Sequence, residues 1–559
     1  ADLSLTLAPL DQVFQSDLAT YTASSGFAGS STQVIATTVD ENATITVDGI
    51  AAPNGAPGQV VSLAVGSNDI EVVSTAEDGT PTTYTVEITR ADAVTFAQRA
   101  YVKASNTNAD DRFSRVAVDR DTLVVGAPGE ASAATGIDGD ELDNTLFEAG
   151  AVYVFTRAAG VWTQQAYIKA SNTDSGDRFG AYLDIDGDTL IVGAPGEKSL
   201  ASGIGGDQSN NSGSDVGAVY VFVRDLDGTW SQHSYIKAST VQIGDAFARV
   251  AIDGDRLVVG AVGENSGATG VDGDQNDTSQ LDSGAAYVFD RDDTGVWSQV
   301  AYLKASNTTA GDAFGRVSVS GATVAIGAIG EDSKATGADG DQADNSEVDS
   351  GAVYVFDRAV DGTWSQTAYL KSSNTDTLDA FGNLALFNDI LVVSAIGEDS
   401  VATGIDGDQA DNSAVDSGAV YGFFRSDAGW NQEVYIKASN ADASDGFGLG
   451  ISSWGTAVAV GAFSEQSSAT GVNLDQSDNT LSAAGAAYVF ERSGLGVWSQ
   501  LLYIKASNAN GDDRFGEFVA LGQDTFAAGA QGENSIAVGV NNDETNESAT
   551  AAGAVYIFD

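Results

Sequence analysis

The stretch "AFGRVSVSGATVAIGAIGE" (313–331) is followed, after an acidic run, by "SGAVYVFDR" (350–358) and "TWSQTAYLKSSN" (363–374). It holds four short runs rich in Val, Ile, Tyr and Phe, each bounded by Gly, Asp, Asn or Ser, the pattern of β-strands separated by turns. We label them A ("FGRVSVS"), B ("ATVAIGA"), C ("GAVYVF") and D ("WSQTAYLKSS"). The A-to-B link is tight and in another copy reads "DGD" (Asp186 to Asp188), a hairpin signal.

The same unit recurs along the chain. Tyr101, Tyr167, Tyr235, Tyr302, Tyr369, Tyr435 and Tyr503 mark strand D, each 66 to 68 residues from the next. Seven copies at one period mean one architecture repeated, and four antiparallel strands arranged radially make a propeller blade. The ends predict closure. "TFAQRAYVKAS" (95–105) matches strand D, with Phe96 where other copies have Trp162, Trp230, Trp297, Trp364, Trp430 and Trp498, while the last copy ends after strand C, "GAVYIF". The early strand is expected to complete the last blade and to remove free sheet edges that invite aggregation. The expected fold is all-β: a seven-bladed β-propeller over 93–559 closed by an N-terminal strand, preceded by a small β-sandwich over 1–92. That first segment shows alternating runs ("LSLTL", "ATITVDGI", "NDIEVVS", "TYTVEITR") suited to a small antiparallel sandwich.

The repeats resemble FG-GAP repeats, the blades of integrin α-subunit propellers and of many bacterial surface proteins. "FG" stands at Phe179-Gly180, Phe314-Gly315, Phe381-Gly382, Phe447-Gly448 and Phe515-Gly516, and "GAP" at 126–128 and 193–195. Residues 1 to about 92 resemble bacterial cadherin-like β-sandwich modules and carry no cadherin calcium motif. The resemblance implies fold rather than ligand. Integrin calcium loops join strands A and B, whereas "DRDT", "DGDT", "SGAT" and "SWGT" are too short here, so those metal ligands do not carry over.

Composition excludes several functions. The 559 residues hold 79 acidic and 25 basic side chains, a formal charge of −54, with one His and no Cys or Met. A nucleic-acid ligand needs a basic footprint that is absent; a strong acidic excess favours cations and solubility. Lack of Cys removes disulfides and thiolate metal sites. No apolar run reaches the roughly 18 residues of a membrane span. The chain begins at Ala1 rather than Met, which suits a processed, secreted product.

The B-to-C loops concentrate the acid. Each begins with a glutamate (Glu130, Glu197, Glu264, Glu331, Glu398, Glu465, Glu533) and continues as Asp-Gly-Asp-x-x-Asp in its fullest form. The first position is Asp138, Asp272, Asp339 or Asp406, with Gly205, Asn473 and Asn541 elsewhere. The second is Asp140, Asp207, Asp274, Asp341, Asp408, Asp475 and Asp543. The third is Asp143, Asp277, Asp344, Asp411 and Asp478, with Asn210 and Asn546. Calcium takes six to eight oxygens, and alternating acids around a glycine turn can wrap one. The D-to-A loop adds an aspartate two residues before each Phe (Asp111, Asp177, Asp245, Asp312, Asp379, Asp445, Asp513), expected on the same face. Two readings stand at this stage: calcium in at least some loops, or a solvated acidic face. Charges 5 Å apart repel by roughly 0.8 kcal/mol even in water, so fixed carboxylate clusters need compensation.

Strand D lysines (Lys103, Lys169, Lys237, Lys304, Lys371, Lys437, Lys505) and the arginines after strand C are expected to pair with loop carboxylates or cap strand ends. The strand D tryptophans read as blade packing. A Ser or Cys nucleophile with a His base is poorly supported, because Cys is absent and His233 is the sole histidine. A carboxylate-pair glycosidase is not excluded by composition. The expectation is a non-catalytic secreted surface protein, a calcium-stabilised propeller for cell adhesion or extracellular assembly, with a surface protein or glycan ligand as partner and no membrane span. A homo-oligomer or filament built by edge-strand pairing is also allowed. A carbohydrate-binding lectin is the second reading, and a polysaccharide-degrading enzyme the third.

Overall fold

The computed structural model describes residues 2–7, 10–26, 29–40, 42–91, 96–494 and 496–559. Among these there are strands and turns but no helix. The expected domain boundary at 92/93, like Thr95 of the closing segment, lies outside the described residues.

Two sheets hold the first 90 residues. One orders Asp2–Leu5, Ser31–Thr37 and Pro57–Ser62; the other orders Thr20–Ser25, Pro81–Arg90, Gly66–Thr75, Thr44–Val47 and Ile50–Ala52. Alternating side chains, among them Leu3, Val34, Ile45, Ile70, Val72, Val86 and Ile88, meet in a buried core around Tyr21. The sandwich is not wholly antiparallel as expected: Thr20–Ser25 runs parallel to Pro81–Arg90, because a long excursion through the other sheet separates them.

The repeats form seven further sheets, each with strands in the order A-B-C-D. In the first these are Arg115–Asp119, Thr122–Ala127, Ala151–Ala158 and Val161–Ile168. In the last, Phe515–Leu521, Phe526–Ala530 and Ala554–Phe558 are joined by Gln98–Val102 from the far end of the chain. Phe96 takes the expected Trp position there and stacks on Phe558 with ring centroids 5.8 Å apart. Each inner strand A packs beside those of its two neighbours, the last beside the first, so the ring is closed.

Blades pack through aromatic ladders and close backbone approach. Phe179 meets Tyr220 edge-on at 5.3 Å, and Tyr220 meets Tyr235 at 5.3 Å. In the last blade, Phe515, Tyr556 and Tyr101 repeat the ladder across the closure. The glycine of strand B is there because the next blade is too near for a side chain: a Cβ on Gly193 would lie 2.0 Å from the carbonyl oxygen of Ala248. Where one copy has Ser394 instead, its hydroxyl donates to the Gly448 carbonyl at 2.7 Å, turning the contact into a hydrogen bond.

The tryptophans of strand D are buried, as their fixed spacing predicted. The arginines after strand C do not reach the acidic loops. Arg157, Arg224, Arg291 and Arg425 pair with Asp121, Asp188, Asp255 and Asp389 of their own A-to-B turns, at 2.7 to 2.8 Å, because strand C ends on that opposite face. The sandwich docks on this turn face: Arg90 pairs with Glu491, Ser30 bonds Thr456, and Gln523 donates to the Ser24 carbonyl at 3.4 Å. The acidic face is left uncovered by it.

Candidate functional site: the acidic loop face

The loop glutamates are buried in every copy. All seven are at most 2% exposed, and each receives the strand D lysine of its own blade at 2.6 to 2.9 Å. The lysines are equally buried. Loss of hydration pushes their pKa down, and the facing glutamate opposes the shift. Lys304 satisfies all three of its donors, on Glu264 Oε2 (2.9 Å), Ser283 Oγ (2.8 Å) and the Gly284 carbonyl (2.6 Å). In six blades the strand D tyrosine donates to the other glutamate oxygen, as Tyr369 does to Glu331 at 2.9 Å; Tyr235 does not. An asparagine from the preceding D-to-A loop adds a further donor, for example Asn374 to Glu398 at 3.0 Å. Strand D, the acidic loop and the neighbouring linker are thereby locked at one buried point.

A serine two residues after each glutamate joins this cluster to the loop above it. Ser132, Ser199, Ser400, Ser467 and Ser535 donate to the backbone carbonyl of the second loop aspartate at 2.7 to 2.9 Å. In the other two blades, Ser266 and Ser333 bond the strand D tyrosine instead. Sequence reading passed over these serines, although their presence in all seven copies was the available signal.

The loop then crosses the outer edge of the blade. Gly270–Val271 and Gly471–Val472 pair with strand D as a short fifth strand, and the other five loops make a single bridge there. The first motif position follows this bridge. Asp138, Asp272, Asp339, Asp406, Asn473 and Asn541 have φ between 53° and 55°, and each accepts the backbone N–H of the strand D tyrosine at 2.9 to 3.0 Å. Gly205, the exception among oxygen-bearing residues, sits at φ 70°. The position selects for left-handed backbone, which Asn, Asp and Gly supply.

The second and third positions turn the loop. Oδ1 of Asp140, Asp207, Asp274, Asp341, Asp408, Asp475 and Asp543 accepts the N–H two residues on, at 2.9 to 3.0 Å. Asp143, Asn210, Asp277, Asp411 and Asp478 do the same. Asp344 and Asn546 instead offer their backbone carbonyls to Lys334 and Ile536. These are Asx turns, a local reason for the residue types. Side-chain and backbone donation from Ser209 holds the Asp207 carboxyl below the usual range. All first- and second-position side chains are exposed, and each second-position aspartate keeps one oxygen out of the turn.

The D-to-A aspartates do not join them. Asp111 is buried, its electrostatic neighbours being Glu130, Lys103 and Lys169, and Oδ2 accepts the Asn108 N–H at 2.7 Å. Burial pushes it up to about 7, as it does Asp177, Asp245, Asp379, Asp445 and Asp513, with Asp312 at about 6. Among the described residues, no three Asp, Glu or His side chains converge as a ready metal cage. His233 is exposed, with its Nδ1 2.8 Å from the Ser234 hydroxyl.

Comparison with known proteins agrees with this architecture. A model of the cadherin-like beta sandwich domain matches residues 1–91, and a model of the FG-GAP repeat matches 162–222, 230–289 and 297–356. No curated protein sequence matches the chain. Similar solved structures include a prolyl endopeptidase, 11% identical over 88% of this chain and 53% of that one, with a TM-score of 0.25. An ancestral GH74 enzyme is 10% identical over 93% and 85%, at 0.22. A Ca2+-stabilized adhesin that helps an Antarctic bacterium bind ice is 13% identical over 90% and 98%, at 0.10. The chain spans about half the length of the prolyl endopeptidase, and likeness at these scores carries nothing about activity. The chain carries an N-terminal cadherin-like beta sandwich domain followed by FG-GAP repeats.

Proposed function

We propose that this chain is a non-catalytic, secreted surface protein whose acidic loop face takes up calcium and serves adhesion or extracellular assembly. The observation that carries this reading is the sevenfold recurrence of one exposed loop, each anchored by the same buried Lys–Glu pair. The anchor absorbs the glutamate in every copy, so loop Asp pairs such as the exposed Asp408 and the half-buried Asp411 are left unneutralised by local ion pairing among the described residues. Their donor chemistry is all oxygen, which suits a hard cation. Asp140 and Asp143, Asp274 and Asp277, Asp408 and Asp411, and Asp475 and Asp478 would supply the ligands. Calcium bound there would neutralise the repulsion within each loop. Both domain types are at home outside the cell, and no described helix is long and apolar enough to cross a membrane.

The test is melting of the full chain with calcium and with a chelator, alongside aggregation of beads coated with it. One site at a hundredfold excess of ligand over its dissociation constant adds about 2.7 kcal/mol, so several occupied loops raise the melting temperature visibly and calcium draws the beads together. An unchanged transition with dispersed beads overturns the proposal.

A further inference from the structure

Around the propeller axis lies a cavity of about 210 Å³, lined by residues from the inner strands of all seven blades. Its wall is unlike the rest of the molecule. Arg249 and Arg316 face it, and Arg115 flanks it with its guanidinium 3.7 Å above the Phe518 ring. The three occupy one register position of strand A, opposite Gly260, Gly327 and Gly126 of strand B. Rotation about the axis therefore brings them to one level. None makes an ion pair within 4 Å among the described residues, in a chain with three acids for every base.

Their neutral partners leave donors over. Arg249 lies 4.7 Å from the Tyr182 ring, and its Nε has no partner among the described residues. Arg316 Nε donates to Asn383 Oδ1 at 2.6 Å, which leaves Asn383 Nδ2 without one. Burial opposes the charged form, pulling Arg316 down to about 9, with Arg249 adding like-charge repulsion, and Arg115 to about 10 against the opposing pull of the Glu517 carboxylate. A guanidinium does not surrender its proton in a protein, so this opposition stands as a stability cost. A counter-charge in the cavity would relieve it.

We propose that the axial cavity binds one small multivalent oxyanion, of phosphate or dicarboxylate size, through Arg249 and Arg316 with Asn383 as a neutral donor. Planar guanidinium forks match the oxygens of phosphate and carboxylate in bidentate fashion. The chain's overall negative field works against anion entry, and the joint hold of two guanidinia on one ion is what offsets it.

Calorimetry and melting of the full chain test this, with phosphate, sulfate or succinate added at constant ionic strength against sodium chloride. The expected result is a saturable isotherm with one ion per chain and a matching rise in melting temperature. The ranking of phosphate against succinate identifies which oxyanion chemistry the cavity prefers. Arg249→Gln and Arg316→Gln each weaken binding about tenfold or more, while anion-free Arg316→Gln melts no lower than the parent because it removes one of two neighbouring cations. Absence of binding by all three ions overturns the proposal, as does unchanged binding in the double variant. Should the variants not fold, the parent isotherm decides.

Discussion

Lys169 Nζ lies 2.6 Å from Glu130 Oε2, with both side chains fully buried. Six further pairs repeat this relationship, and the one at the closure joins Lys103 to Glu533 across 430 positions of sequence. Removing one partner strands a buried charge, which costs about 3–5 kcal/mol. Glu331→Gln should therefore lower the denaturant midpoint strongly, whereas Glu331→Leu combined with Lys371→Met should lose much less than the two single changes together. Additive losses in that double-mutant cycle would show that the pair acts only by packing.

Burial raises Asp177, Asp245, Asp379, Asp445 and Asp513 to about 7, from an ordinary 3.8. An acid with a raised folded pKa binds more protons folded than unfolded between those two values. Its contribution is present when the folded form is protonated and is lost as pH rises through the folded pKa. The melting temperature at about pH 5 should exceed that at about pH 8, at fixed ionic strength. Asp245, whose Oδ1 has no partner among the described residues, is the best probe. Asp245→Asn should narrow the difference; an identical pH profile would mean that these aspartates do not cause it.

Two glycines answer differently to substitution. Gly205 has φ 70° and open space where a side chain would go, and its counterpart Asp138, also left-handed at φ 53°, accepts the Tyr167 N–H of strand D. Gly205→Asp should leave stability unchanged or raise it by up to about 1 kcal/mol. Gly193→Ala puts a methyl 2.0 Å from the Ala248 carbonyl oxygen and should cost about 3 kcal/mol or more, because backbone must move. Thermal melts of the two variants, measured side by side, separate a backbone role from a spacing role.

Among the described residues, strand Gln98–Val102 is the one that pairs with Ala554–Phe558 on its outer side. Replacing both Ala100 and Val102 with proline removes backbone donors from this ladder and exposes the edge. Light scattering should then detect oligomers or aggregates at concentrations where the parent is monodisperse. A monodisperse double variant would mean that closure does not depend on this pairing.

Much of this was legible before folding. The repeat period, the strand and turn chemistry and the misplaced strand D at the start of the chain give an all-β ring, because each follows from local pattern and from the edge a final strand C would otherwise leave bare. The acidic motif was legible as a loop, and its aspartates as carboxylates at fixed positions. Which acids are exposed was not. Glu398, Asp379 and Asp408 look alike in sequence, yet the first is buried on Lys437, the second is buried with a raised pKa, and the third stays in water. Hydration is set by whatever the adjacent strand and the neighbouring blade place over a side chain, and residue type and spacing do not encode that. The axial arginines are hidden for a related reason. "FSR", "FAR" and "FGR" share one position in three repeats, but only the curvature of the closed ring brings Arg249 and Arg316 to one cavity wall with Arg115 beside it.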